Sequence, residues 1–125
     1  MTYLLDTHVL LWAVNTPARI EEAALAQIES GENVIFYSAV SIWELCIKAA
    51  KGLLVLNDQL LGAIQTAGFV ELPVRTAHAW EVKRLPLLHR DPFDRMLVAQ
   101  AKAQNLVLIS RDNFLERYDI SVLRG

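Results

Sequence analysis

Leu106-Val107-Leu108-Ile109-Ser110-Arg111-Asp112 is an apolar, β-branched run that ends in a carboxylate, and Tyr3-Leu4-Leu5-Asp6 near the start of the chain follows the same plan. Runs this short and this apolar read as strands buried on both faces of a parallel sheet. Val34–Tyr37 reads the same way, and Ile120–Leu123 makes a final strand. Helical segments lie between them. Thr16 as N-cap and Pro17 at the first helical position open a helix whose apolar stripe is Ile20, Ala24, Leu25 and Ile28, and Gly31 ends it. Ser38 or Ser41 caps the next helix, which runs through Trp43, Glu44 and Lys48 to Gly52. A further helix spans about Asp58 to Ala67, and Phe69–Val74 is either a short strand or an extended link. Thr76–Arg84 is helical until Pro86 breaks it, and Asp91-Pro92 opens a long helix to about Gln104, with Asn105 as its stop. Strand alternating with helix gives right-handed crossovers and helices on both faces, so the expected fold is α/β: a three-layer α/β/α sandwich around a mainly parallel sheet.

The chain has 125 residues, enough for one core, with no repeat, low-complexity tract or long Gly/Ser/Pro linker, so residues 1–125 are expected to form one domain. Hydrophobic residues make up 54% of it and mean hydropathy is +0.28. That is more apolar surface than a small monomer hides, which predicts a protein partner or self-association. The longest uncharged apolar stretch, Val34–Trp43, falls short of the roughly 20 residues that cross a bilayer. The start, MTYLLDTHVLLW, lacks the basic segment of a secretory signal and carries Asp6 where an apolar stretch would be needed, so a cytoplasmic protein is expected. A single cysteine, Cys46, excludes an internal disulfide and a Cys-based zinc site; between Leu45 and Ile47 it is expected to be a core thiol. With 12 Lys and Arg against 14 Asp and Glu, net charge is −2, so any hold on a polyanion must be local.

Ligand crevices of open parallel sheets lie beyond the carboxyl ends of the strands, where Asp6 and Asp112 both emerge. Each also has a plainer reading, as a cap: Asp6 for a helix starting at Thr7 or His8, Asp112 for a short helix Phe114–Arg117. Asp91-Pro92-Phe93-Asp94 places an N-cap, a proline and an N3 acid in series, which satisfies a helix end without any function. Asp94 nevertheless heads the apolar face Leu97, Val98, Ala101, so it is directed inward. Glu44 is either half of an exposed i, i+4 pair with Lys48 or, given its apolar neighbours Trp43 and Leu45, a buried acid. Carboxylates gathered in one place raise one another's pKa and are held as anions mainly by a divalent cation. An all-oxygen set selects Mg²⁺ or Mn²⁺, ions suited to phosphodiester hydrolysis.

LLDTHVLLWA at the start, then SAVSIWELCIKAAKG, HRDPFDRMLVAQA and LISRDNFL together resemble the PIN-domain nucleases of the VapC toxin type, nearly end to end. The resemblance implies a Mg²⁺ or Mn²⁺ dependent endoribonuclease acting on RNA, held inactive by a co-produced antitoxin and commonly a homodimer. It implies that Asp6, Glu44 and Asp94 match the first three family acids and Asp112 the fourth, a position where the family varies more. Asp91 belongs to the HRDPFD variant and is expected to stand behind the ligands.

Arg90, Arg95 and Arg111 adjoin these acids and are candidates to hold RNA phosphates, against the plainer reading of solvated charge. His8 either orients substrate or packs structurally, and His89 is undecided. His78 is expected on a surface helix, with no zinc-like His spacing nearby. Trp12, Trp43 and Trp80 either stack on bases or serve the core or an interface. Two other acid-bearing α/β classes fit poorly: haloacid-dehalogenase phosphatases need an Asp where His8 stands, and receiver domains need one after the Val34–Tyr37 strand, where Ser38 stands. The non-enzyme alternative is a PIN-fold interaction module whose acids are only caps.

Overall fold

The computed structural model describes residues 1–125, the side chain of Asn113 aside. Five strands, β1 (Thr2–Leu5), β2 (Val34–Ser38), β3 (Val70–Leu72), β4 (Val107–Ser110) and β5 (Val122–Arg124), pair in the order β3-β2-β1-β4-β5, every pair parallel. The helices are α1 (Thr7–Asn15), α2 (Glu22–Glu29), α3 (Ala39–Ala50), α4 (Leu60–Thr66), α5 (Thr76–Val82) and α6 (Pro92–Gln104), with single 3₁₀ segments at Pro17–Arg19 and Asn113–Arg117. This is the expected α/β/α sandwich.

Strand alternation divides the core in two. Tyr3, Leu5, Ile35 and Ile109 meet α1, α2 and α4 through Val9, Leu10, Ala24 and Ile64, whereas Leu4 and Leu108 meet α6 through Leu97, Val98 and Ala101. Leu108 is fully buried. Its replacement by alanine should cost about 3 kcal/mol, read as a lower urea midpoint at an unchanged slope; a loss under about 1 kcal/mol would mean that this layer is not close-packed.

The last helix starts and stops as its sequence requires. Asp91 caps α6 by accepting from Phe93 N at 2.8 Å, Pro92 fills a position that needs no donor, and Asn105 takes a left-handed conformation (φ 54°) at the other end. The expected single helix from Thr16 to Gly31 is instead a 3₁₀ turn, an extended Ile20 and then α2. Ile20 is anchored in the core, and the extended backbone is what delivers it there.

Two placements correct the sequence reading. Cys46 is exposed, because the buried stripe of α3 runs Val40, Ser41, Glu44, Leu45 and the next residue rotates off it. His78 is fully buried rather than on a surface, with Arg75 N donating to its Nδ1 and Gln104 of α6 beside its Nε2. Trp43 and Trp80, each more than 60% exposed, are not core residues. No helix among the described residues is long and apolar enough to cross a membrane.

Candidate active site

The chain leaves β1 toward β2 and β3 on one side and returns to β4 and β5 on the other, so the order reverses between β1 and β4. Neighbouring crossovers diverge there and leave a crevice at the carboxyl ends of those strands. Asp6 follows β1 and Asp112 follows β4, on either side of that point. Asp94 in the first turn of α6 and Glu44 in α3 reach the same crevice, a cleft of about 360 Å³ that Asp91 also lines.

Asp6 is buried, and its two oxygens have separate tasks: Oδ1 accepts from Val9 N at 2.8 Å, capping α1, and Oδ2 accepts from the Ser110 hydroxyl at 2.5 Å. Glu44 is buried as well, so neither reading made from its segment is complete. It does pair with Lys48, at 2.8 Å to Oε2, but inside the cleft, while Thr7 donates to its Oε1 at 2.7 Å. Asp112 caps the Asn113–Arg117 turn through Phe114 N, at 2.9 Å. Asp6, Asp91 and Asp112 are therefore caps and cleft residues at once. An N-cap carboxylate at this sheet edge necessarily sits beside the crevice, so the two readings do not exclude each other.

Asp94 differs, because it caps nothing. Burial foremost, then the Asp91 carboxylate, with smaller contributions from Asp6 and Glu44, push its pKa up to about 7 against a partial offset from His89. Burial also raises the pKa of Asp6, against the lowering pull of its hydrogen bonds from Ser110 and Val9. Lys48 is held more firmly protonated by its hydrogen bond to Glu44. The cleft thus holds more negative charge than its own cations balance. That imbalance, with oxygen donors on every side, fits a hard divalent cation such as Mg²⁺ or Mn²⁺.

A PIN-domain family model matches residues 3–121. The chain belongs to the PIN-domain family. No curated protein matches it significantly. Three solved structures share the fold at low identity. The chain resembles VapBC2 from Rickettsia felis bound to a promoter DNA fragment (TM-score 0.75, 17% identity, 98% of each chain covered) and DNA-bound VapBC from Salmonella typhimurium (0.71, 16%, 98% and 97%). It also resembles FitAcB from Neisseria gonorrhoeae (0.61, 20%, 98% and 96%).

This PIN domain brings one further residue to its acids. His89 Nε2 lies 3.1 Å from Asp112 Oδ2 and 3.4 Å from Asp94 Oδ2, three groups close enough to share an ion. Asp91 N donates to His89 Nδ1 at 3.0 Å, however, so Nδ1 is an acceptor and the ring proton resides on Nε2. In that tautomer the imidazole donates to the carboxylates and ties the segment before α6 to the end of β4. Sequence spacing gave no sign of this; the HRDPFD string placed His89 near the acids and nothing more.

The basic candidates separate. Arg111 and the exposed His8 line the PIN-domain cleft, as does Trp12. Arg90 lies outside it, and Arg95 turns away to donate to the carbonyls of Pro86 (2.9 Å) and Val82 (3.1 Å), closing the turn after α5. Lys48, read in sequence only as a partner for Glu44, sits inside the cleft.

Proposed function

We propose that this chain is a Mg²⁺ or Mn²⁺ dependent endoribonuclease, the toxin of a toxin–antitoxin pair, and that residues 1–125 act as one nuclease domain. The observation that carries the reading is Asp94. It is half-buried beside other acids and caps nothing, and its pKa is pushed up to about 7, a cost that the contact with His89 at 3.4 Å offsets only in part. Family membership and the likeness to toxin–antitoxin complexes support the same reading.

Asp6, Glu44, Asp94 and Asp112 hold the ion, which when bound offsets their charge, acts as a Lewis acid on the phosphate and supplies an activated water. The chain's other groups position these four. Ser110 and Val9 N–H fix Asp6, Thr7 and Lys48 fix Glu44, and His89 fixes Asp112. Asp91 anchors the start of α6 and so sets the depth of Asp94. Exposed Trp43, Trp80 and Leu87 supply apolar surface for an antitoxin and for a second copy in a homodimer, in the cytoplasm.

The rival reading, an interaction module, draws on the capping roles of Asp6, Asp91 and Asp112. A mixed RNA pool incubated with purified, antitoxin-free protein decides between them. Cutting is expected with Mn²⁺ or Mg²⁺, and neither with EDTA nor with Asp94→Ala. Absence of both cutting and saturable Mn²⁺ binding would favour the module.

A further inference from the structure

A polyanion entering a cleft lined by five carboxylates needs a positive group that those carboxylates have not already claimed. The cleft is lined by two permanent cations, Lys48 and Arg111. Lys48 is spent on Glu44, at 2.8 Å. Arg111 makes no ion pair within 4.0 Å with any side-chain carboxylate among the described residues.

Its guanidinium is nonetheless held. Its Cζ lies over the Trp12 ring, 4.5 Å from the ring centre, Nε donates to the Gly125 main-chain oxygen at 3.0 Å, and Nη2 donates to the Arg19 carbonyl. The Arg19 guanidinium lies 5.0 Å from the same ring, adding a second positive charge to that wall. Neither the indole nor the Arg19 carbonyl cancels its charge, and among the described residues Nη1 has no partner. A planar cation with one free edge, fixed beside a hydrolytic site, is preorganised for a phosphate.

We propose that Arg111, stacked on Trp12 at the wall of the carboxylate cleft, grips an RNA backbone phosphate next to the one being cut. The inference rests on the nuclease reading above and adds to it a binding subsite on the β4 side of the cleft. The contact is made equally in ground and transition states, so it lowers KM and leaves kcat alone.

The test measures the affinity of the purified protein for a fluorescein-labelled single-stranded RNA of mixed sequence, with Ca²⁺ as the divalent ion, across a salt series. Arg111→Gln, which keeps a donor for the main-chain oxygens and drops the charge, should weaken binding about tenfold. The salt slope should fall by about 0.7, one phosphate's worth on a single strand. Arg111→Lys should recover part of the affinity, and Mn²⁺ affinity should stay at the parent value in both variants, which a collapsed site would not allow. Arg111→Gln protein that binds RNA with parental affinity and salt slope overturns the inference and leaves the guanidinium to a protein partner. The separate Mn²⁺-dependent cleavage assay then still stands for the nuclease reading. Parent protein that neither binds nor cuts RNA overturns both.

Discussion

Asp94→Asn should abolish RNA cleavage, by at least about 10³-fold, and at the same time make the metal-free protein more stable at pH 8. The second effect follows from linkage. The Asp94 carboxyl titrates near 3.8 in the unfolded chain and at about 7 in the fold. Below 3.8 it is protonated in both states and contributes nothing. Between the two values the unfolded chain ionises first, so stability falls as pH rises, and above 7 the full penalty is in place. That penalty is on the order of 4 kcal/mol at most, since each pH unit between the two values corresponds to about 1.4 kcal/mol. Asparagine keeps the size of the side chain and drops its charge. With neighbours relaxing around the parent acid, about half the penalty should be recovered, a rise of about 5–10 °C in Tm at pH 8 in EDTA that fades by pH 4. A variant that loses activity without this pH-dependent gain would show that Asp94 is not held at a cost, and the main support for a metal site would go.

The layout of the fold was readable because strands buried on both faces leave an unmistakable trace. Tyr3–Leu5 and Val107–Ile109 are apolar at every position, so Asp6 directly after the first and Asp112 three residues after the second stand out. β3 was ambiguous for the converse reason: it is a three-residue edge strand with Val70 and Glu71 exposed, and carries little burial pattern to read. Cys46 and His78 went wrong together. Which face of a helix is buried depends on what packs against it, and α5 turns His78 toward α6 through contacts with Gln100 and Gln104. Neighbours in sequence do not reveal that.

The candidate site divides along the same line. That Asp6 and Asp112 share a sheet edge follows from the apolar strands before them, and that Asp94 turns inward follows from the face of α6, both legible beforehand. Glu44 was matched to them only through the family resemblance, and the strand order that brings the four together was not legible. The groups that position them are long-range. His89 reaches Asp112 because its own N–H bonds the Tyr118 hydroxyl, and Arg111 is set by Trp12 and Arg19, partners remote in sequence. Arg95 matched the description of a phosphate ligand as well as Arg111 did, until the carbonyls of Val82 and Pro86 took its donors.

Mn²⁺ should bind about ten times more weakly at pH 6 than at pH 8, and its withdrawal by EDTA should lower Tm most at the higher pH. An ion held by Asp94 must displace the proton that the carboxyl keeps below about 7. At pH 8 most molecules have already lost that proton, and at pH 6 roughly nine in ten retain it. Asp6, also raised by burial, makes the dependence steeper, never shallower. Burial raises Asp94 most, and the ion offsets both that cost and the added repulsion from Asp91, Asp6 and Glu44, so affinity for metal and instability without it are linked at this carboxylate. At a hundredfold excess over Kd the ion should add about 2.7 kcal/mol. Titration calorimetry at the two pH values in buffers of differing ionisation enthalpy measures both the affinity and the proton released. Uptake of Mn²⁺ at equal affinity at pH 6 and pH 8, with no proton released at pH 6, would place the ion somewhere other than on Asp94.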